Sequence, residues 1–213
     1  MNYHYVKDEH DNFMLLNFDN NYQVMMEWER QYMVDLIGKL NPSGKVLEVG
    51  FGLGISANEI QKYDIESHTI IECNPEVLKV ARKWASKQEH DVHIVEGKWQ
   101  DVLKTLGTFD SIFFDDSPDF VEDELDIRGY QFFYDILKSH VNVNCRYSWF
   151  SSELTHLLVN PFVSYDVDIK NYDIPLYCEY TSGNDMYLPL MIFKKGMIDI
   201  NRVVIDKYFN VHL

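Results

Sequence analysis

Short apolar runs and amphipathic segments alternate along the middle of the chain, between residues 45 and 150. The apolar runs are typical of strands buried in a parallel sheet. The predicted strands are 45–50, 67–72, 92–95, 109–114 and 146–150. The predicted helices are 56–63, 75–87, a segment with Val102, Leu103 and Leu106, and 127–140. This alternation predicts right-handed βαβ units, and therefore an α/β fold with a doubly wound, mostly parallel sheet.

Both ends of the chain depart from this alternation. The first 30 residues are polar and aromatic, and 27–39 is predicted to be a helix packed on the domain. Beyond residue 150, the segments 163–172 and 186–194 have the composition of strands, and 153–159 is a short helix candidate. We expect the two late strands to form an antiparallel pair that closes one edge of the sheet.

The length of 213 residues suits one α/β domain that buries a sizeable core. We divide the chain into an N-terminal lid or helical segment (1–40), the α/β domain (41–195) and a C-terminal tail (196–213). Asn74 and Pro75 are a typical N-cap and first residue for the second predicted helix.

The chain is strongly acidic, with 34 Asp and Glu against 19 Lys and Arg and a formal net charge of −15. Nucleic-acid phosphates repel such a chain unless it has a basic patch, and the sequence has none. No apolar run reaches roughly 18 residues, so no membrane span is expected, and the N-terminus lacks the order of a signal peptide. The acidity is compatible with a cationic partner or with solubility alone.

The three cysteines, Cys73, Cys145 and Cys178, lack the spacing of a metal or redox motif, and the eight histidines are scattered. We therefore expect no metal site. An odd and sparse cysteine count is typical of reduced thiols inside a cell, so the predicted location is the cytoplasm.

A glycine-rich turn lies between the first predicted strand and its helix. Gly50, Gly52 and Gly54 let the backbone turn tightly and approach a ligand closely. Glu72 ends the second strand, where an acidic side chain can bind both hydroxyls of a ribose. The spacing differs from the dinucleotide fingerprint, and Glu48 disfavours a pyrophosphate but suits a cation. The turn indicates a nucleoside cofactor, and the alternative is a tight turn without a ligand.

Five segments together resemble one enzyme family. They are 24–33 (VMMEWERQYM), 46–52 (VLEVGFG), 70–74 (IIECN), 97–102 (GKWQDV) and 109–115 (FDSIFFD). The glycine turn and the acidic end of the second strand are similar to class I methyltransferases, which bind S-adenosylmethionine. The five segments look like guanidinoacetate N-methyltransferase, and yeast-type arginine δ-N-methyltransferases share much of this core. The resemblance implies a Rossmann-like N-methyltransferase that uses S-adenosylmethionine to methylate a guanidino group of a small molecule or an arginine-like substrate.

The resemblance also implies a set of cofactor-binding residues. Glu72 would hold the ribose, and Trp99 would lie beside the adenine. The full set is Met25, Met33, Glu48, Gly50, Phe51, Gly52, Leu53, Gly54, Ile55, Ser56, Glu72, Cys73, Asn74, Trp99, Gln100 and Asp115.

Two acidic residues, Glu29 and Asp115, would bind the guanidinium and form the catalytic pair, and Phe150 and Ser151 would meet the other end of the substrate. A guanidinium matches a carboxylate bidentately, and its pKa above roughly 12 leaves no free nitrogen lone pair. Two carboxylates could orient one nitrogen and accept its proton. Asp115 follows a predicted strand, where open α/β sheets bind ligands, whereas Glu29 would have to fold over the site as part of a lid. Without the resemblance, a solvated side chain is the commoner role for Glu29.

The acceptor half departs from the family pattern more than the cofactor half does. Residues 115–118 read DDSP where the family has DTYP, and 148–151 read SWFS where it has CNLT. These departures leave open an acceptor other than guanidinoacetate. Seven acidic residues and no Lys or Arg lie from Asp115 to Asp126, and such a negative rim favours a cationic acceptor over a zwitterion.

Two other functions stay open. The segment 115–119 (DDSPD) faintly resembles an element of aminopropyltransferases, the polyamine synthases, although their glycine turn is absent here. The chain could also be a partner subunit that binds S-adenosylmethionine without catalysis, but the retention of Glu29 and Asp115 argues against this. The product distinguishes them: a methylated guanidine, an aminopropylated amine, or none.

Overall fold

The computed structural model describes residues 2–117, 125–152, 163–181 and 183–195. It contains a small N-terminal sheet and a larger sheet flanked by helices. The strands are β1 (Tyr3–Lys7), β2 (Phe13–Asn17), β3 (Tyr22–Met26), β4 (Gly44–Val49), β5 (Ile65–Glu72), β6 (Asp91–Glu96), β7 (Phe109–Phe114), β8 (Val141–Trp149), β9 (Val163–Asn171) and β10 (Asp185–Phe193). The helices are α1 (Glu29–Leu40), α2 (Ile55–Ile60), α3 (Pro75–Ala85), α4 (Trp99–Val102) and α5 (Leu125–Ser139), and a 3₁₀ turn covers Leu103–Thr105.

The larger sheet has seven strands in the order β6-β5-β4-β7-β8-β10-β9. The strands from β6 to β8 are parallel, whereas β10 runs antiparallel to both β8 and β9. The predicted α/β class and the antiparallel pair at the edge are therefore confirmed. From β4 the chain first builds β5 and β6 on one side, and later β7 and β8 on the other. Ligands bind at such a switch point, beyond the carboxyl ends of the strands.

The central strands are buried on both faces, because each face is covered by helices. In β4, Val46 belongs to the core under α1, α2 and α3, whereas Leu47 belongs to the core under α4 and α5. This two-sided burial explains why the strands read as continuous apolar runs rather than as alternating patterns.

The N-terminal segment contains three antiparallel strands, β1, β2 and β3, that the sequence analysis did not identify. Each strand has five residues and mixes aromatic with polar side chains, so the apolar signal was weak. The turns did carry a signal, because Asp11 and Asn21 adopt positive φ angles of 67° and 57°, which Asp and Asn tolerate well. The predicted helix at 27–39 is present as α1, which begins at Glu29.

Strand β8 begins at Val141, five residues earlier than 146, where we predicted it. Val141 pairs with Phe109, but Arg146 pairs with Ser111, so the pairing skips residues at this point. Asn144 has a φ of 65°, and Asn142 and Asn144 interrupt the apolar pattern by which the sequence would show a strand.

Three predicted features lie outside the described residues and stay predictions: the helix at 153–159, the tail at 196–213 and residues 118–124 of the acidic run. In the part of the chain that the structure does describe, no helix has both the length and the apolar character to cross a membrane.

Candidate active site

The glycine turn joins β4 to α2 and lies against the end of β7. Gly50 has a φ of 86°, and a Cβ placed on it would come within 2.1 Å of the backbone oxygen of Asp115. Gly52, with a φ of 52°, faces Met25 of β3, and a Cβ there would lie 2.5 Å from the Met25 sulfur. At Gly50 both the backbone angle and the Asp115 backbone exclude a side chain, whereas at Gly52 the positive φ favours glycine and the Met25 side chain would have to move. The turn is thus enclosed by the end of β7 on one side and the N-terminal sheet on the other.

Glu72 is held in one orientation by three backbone N–H groups. Its Oε2 accepts from Phe51 at 3.0 Å, and its Oε1 accepts from Cys73 at 2.8 Å and Asn74 at 2.7 Å. Burial raises the pKa of Glu72, and these three donors oppose the rise. Asn74 caps α3 by accepting from the N–H groups of Glu76 and Val77, as the sequence predicted. An acidic side chain is therefore fixed at the end of β5, with acceptor capacity left on Oε2.

A pocket opens between these strand ends and the N-terminal sheet. It brings together eight of the residues assigned to the cofactor: Met25, Gly50, Gly52, Glu72, Cys73, Trp99, Gln100 and Asp115. The other lining residues were not predicted, and they include Tyr3, Leu15 and Val24 from the three N-terminal strands. The N-terminal segment therefore supplies one wall of the pocket. The alternation of apolar and polar residues within its short strands is the sequence signal that could have identified this wall.

Several residues assigned to the cofactor lie behind the turn rather than among the pocket-lining residues. Glu48 is fully buried, where its Oε1 accepts from Ser56 and its Oε2 lies 2.9 Å from His68 Nε2. Met33, Phe51 and Ile55 are buried in the core. Leu53 and Gly54 form hydrogen bonds through their backbone N–H groups, with the Met25 sulfur and the Phe51 carbonyl. Asn74 caps α3. For all of these residues, direct contact with a cofactor stays a prediction.

Trp99 is both a core residue and a wall of the pocket. Its side chain is 2% exposed and packs edge-on against Phe114 and Phe132. Its Nε1 donates to Asp116 Oδ2 at 2.7 Å. The indole is therefore held in one orientation at the pocket, and Asp116, which also lines the pocket, is a site residue that the sequence analysis did not assign.

Glu29 begins α1 and is almost completely buried, with 2% of its surface exposed. Its Oε1 accepts from the Met26 N–H at 2.7 Å and from the Tyr180 hydroxyl at 2.6 Å. Burial and the nearby charge of Asp115 raise the pKa of Glu29, while the two hydrogen bonds lower it. The commoner expectation for this residue, a solvated side chain, is therefore wrong.

Asp115 follows β7 directly and lies on the pocket wall. Its backbone N–H donates to Val49 at 3.0 Å, and among the described residues no group donates to its carboxylate. Burial raises the pKa of Asp115, and the charges of Glu48 and Asp116 raise it further. The structure therefore brings Glu29 and Asp115 near enough for their charges to interact, and no Lys or Arg among the described residues pairs with either.

Phe150 and Ser151 follow β8, and their backbone N–H groups are already bonded within the chain. The Phe150 N–H donates to Phe114 at 3.1 Å, and the Ser151 N–H donates to the Tyr32 hydroxyl at 2.9 Å. The Tyr32 hydroxyl in turn donates to the Tyr187 carbonyl at 2.8 Å. The buried ring of Tyr32 thus ties this segment to α1 and β10, which the sequence did not reveal.

A family model described as guanidinoacetate N-methyltransferase matches residues 19–156. Protein arginine N-methyltransferase 2 of Candida glabrata is 36% identical over 182 residues, which cover 78% of this chain and 42% of that protein. The protein of the same name from Saccharomyces cerevisiae is 30% identical over 189 residues, covering 81% of this chain and 43% of that protein. The chain thus spans less than half of the length of these curated relatives.

Solved structures with a similar fold include two classes of transferase. An O-methyltransferase from Bacillus cereus in complex with SAH has a TM-score of 0.56 at 13% identity, covering 80% of this chain and 82% of that chain. A spermidine synthase from Thermotoga maritima has a TM-score of 0.53 at 16% identity, covering 99% of this chain and 79% of that chain. At such identities the likeness establishes the class I methyltransferase fold alone. Because the family model matches well over half of the sequence, the chain belongs to the guanidinoacetate N-methyltransferase family.

Proposed function

We propose that this chain methylates a guanidino nitrogen of an arginine side chain, with Glu29 and Asp115 binding the guanidinium. The chain is a member of a methyltransferase family that uses S-adenosylmethionine. The observation that carries the finer proposal is the proximity of two carboxylates: the buried Glu29 interacts electrostatically with the half-buried Asp115, which follows β7 at the carboxyl end of the sheet.

The pocket fits S-adenosylmethionine. Gly50 and Gly52 form a cradle that any Cβ would fill, and Glu72 presents an acceptor oriented for a ribose hydroxyl. The acidic residues Glu72, Asp115 and Asp116 line the same pocket and favour a cationic ligand. When bound, the cofactor supplies an electrophilic methyl group carried on a sulfonium.

Glu29 and Asp115 would act on the acceptor. A carboxylate accepts N–H bonds from a planar guanidinium, so two carboxylates together fix its plane and the direction of one nitrogen. Methylation of a guanidinium releases one proton, and a carboxylate with a raised pKa is a better acceptor for that proton. The carboxylates therefore orient the guanidinium, and the burial that raises both pKa values supports proton acceptance.

An arginine side chain suits the site better than guanidinoacetate. Guanidinoacetate needs donors for its carboxylate, and the backbone N–H groups of Phe150 and Ser151 are already used within the chain. Removing an N–H from an existing partner to bind a substrate costs free energy. The curated relatives are named protein arginine N-methyltransferases, which supports the same choice.

A panel of acceptors with identification of the product tests the proposal. The purified chain is incubated with S-adenosylmethionine and, separately, an arginine-containing peptide, free arginine, agmatine, guanidinoacetate and putrescine. We expect the arginine peptide to gain the mass of one methyl group on its guanidino group, and guanidinoacetate to react least among the guanidines. Cofactor binding without a product would favour the non-catalytic subunit. For the polyamine synthase, decarboxylated S-adenosylmethionine and putrescine would give an aminopropylated product.

A further inference from the structure

Tyr180 lies in the connection between β9 and β10, far along the chain from Glu29. Its hydroxyl donates to Glu29 Oε1 at 2.6 Å, across 151 positions of sequence. The ring stacks on Trp28 and meets Phe150 nearly edge-on, each with its centroid 6.2 Å away. Tyr180 therefore connects the late connection to the start of α1 and to the segment after β8.

The connection that carries Tyr180 is itself held against the N-terminal sheet. Gln23 of β3 donates from Nε2 to the Tyr177 carbonyl at 2.8 Å and accepts at Oε1 from the Glu179 N–H at 3.0 Å. Glu179 is the neighbour of Tyr180, so these two bonds place the Tyr180 backbone. A side chain of β3 thus determines where the tyrosine hydroxyl lies.

Both donors to Glu29 contact the same oxygen. The Met26 N–H and the Tyr180 hydroxyl bond Oε1, and no described residue donates to Oε2. A carboxylate held in this way has one fixed side chain conformation and one oxygen left for a cation.

The hydroxyl also favours the charged form of Glu29. Burial raises the pKa of this carboxyl, and a hydrogen bond donated to the carboxylate lowers it. The other ionisable groups that interact with Glu29 from the elements around it are Asp115, Tyr22 and Tyr32. Burial raises the pKa values of Tyr22, Tyr32 and Tyr180, so these groups stay neutral while Glu29 titrates.

We propose that Tyr180 is the positioning residue of the acceptor site: its hydroxyl fixes Oε1 of Glu29 and leaves Oε2 for the guanidinium. This inference rests on the proposed function, because it assigns Glu29 to the acceptor. The alternative is that Tyr180 only packs between Trp28 and Phe150, in which case its ring matters and its hydroxyl does not.

The Tyr180→Phe variant separates the two roles, because it keeps the ring and removes the hydroxyl. Tyr177→Phe is the matched control, since Tyr177 lies in the same connection and donates to the exposed Asp8 at 2.6 Å. We expect Tyr180→Phe to lower kcat/KM for an arginine peptide about tenfold at neutral pH, the loss expected for one hydrogen bond to a charged group. The acid limb of the pH profile should move to higher pH, with the S-adenosylmethionine Kd unchanged.

A second measurement is independent of turnover. In protein labelled with ¹³C at the glutamate carboxyls, Glu29 is assigned by its absence in Glu29→Gln and titrated in each variant. The inference requires a higher pKa for Glu29 in Tyr180→Phe than in Tyr177→Phe. Gln23→Ala, which releases the connection without touching Glu29, should give a shift in the same direction.

Equal Glu29 titrations in Tyr180→Phe and Tyr177→Phe would overturn the inference, whatever the activity. A raised Glu29 pKa with no change in the pH profile or KM for the peptide would also overturn it, because the hydroxyl would then not serve the acceptor. If the wild-type chain methylates no guanidine at all, the proposed function fails, and the carboxyl titration still decides whether Tyr180 controls Glu29.

Discussion

The cofactor side and the acceptor side of the site are built in different ways. On the cofactor side, the Glu72 carboxylate takes its three donors from residues 1, 2 and 21 positions away. On the acceptor side, Glu29 depends on Tyr180, 151 positions away, and faces Asp115 from another element. The donors that orient Glu72 thus come from a short stretch of sequence, whereas those that orient Glu29 come together only after the whole domain has closed.

This difference predicts different responses to change. The three hydrogen bonds that orient Glu72 are local, so we expect them to persist when substitutions shift distant parts of the fold. The acceptor side joins α1, the end of β7 and the β9–β10 connection, so it can vary without loss of the cofactor site. The two halves touch at Gly50, whose neighbour across the turn is the Asp115 backbone.

Gly50→Ala should have the largest effect, because it breaks both halves at once. The new Cβ would lie 2.1 Å from the Asp115 oxygen at a φ of 86°. We expect a loss of about 3 kcal/mol or more in the free energy of unfolding, measured by urea denaturation. Gly107→Ala is the control, since a Cβ there meets no atom within 4 Å. Equal stability of the two variants would show that the halves are not in contact at Gly50.

Glu72→Gln should damage the cofactor side alone. The amide cannot accept from all three backbone N–H groups, so the side chain loses its fixed orientation. We expect about a thirtyfold weaker S-adenosylmethionine Kd by calorimetry, about 2 kcal/mol. Glu66→Gln, on the same strand and exposed, is the control. A Kd within twofold of the control would remove Glu72 from the cofactor site.

The acceptor side should make stability fall as pH rises. The pKa values of Glu29 and Asp115 are raised in the folded protein, so above the usual carboxyl value of about 4 it binds more protons than the unfolded chain does. Each group therefore lowers the free energy of unfolding with increasing pH, up to its raised pKa, by at most about 1.4 kcal/mol per unit. Urea unfolding of the wild type and of Glu29→Gln over this range should give a smaller fall for the variant. Parallel curves of the free energy of unfolding against pH would show that folding does not raise the pKa of Glu29.

The cofactor side could be predicted from sequence because its signals are local. Each of its signals is recognised from a few neighbouring residues. They are the glycines at 50, 52 and 54, the acidic end of β5 and the cap at Asn74. Even so, local sequence did not distinguish Glu48, which lies behind the turn with Ser56 and His68, from the residues that line the pocket.

The acceptor side could be predicted only in part. The resemblance identified Glu29 and Asp115 as candidates. The burial that raises their pKa values and the electrostatic interaction between them arise only in the folded domain. Nothing near Tyr180 in sequence shows that its hydroxyl reaches α1. On the cofactor side, too, the wall formed by Tyr3, Leu15 and Val24 was missed, because β1 to β3 are short. Long-range contacts of this kind have no periodic signature in a single sequence.

The most direct test of the central claim is the comparison of cofactor binding and turnover in Glu29→Gln and Asp115→Asn, with Glu27→Gln, whose carboxylate pairs with Arg30 on the surface, as the control. We expect both variants to bind S-adenosylmethionine as the control does, and kcat/KM for an arginine peptide to fall about a hundredfold or more. Turnover near that of the control in both variants would contradict it.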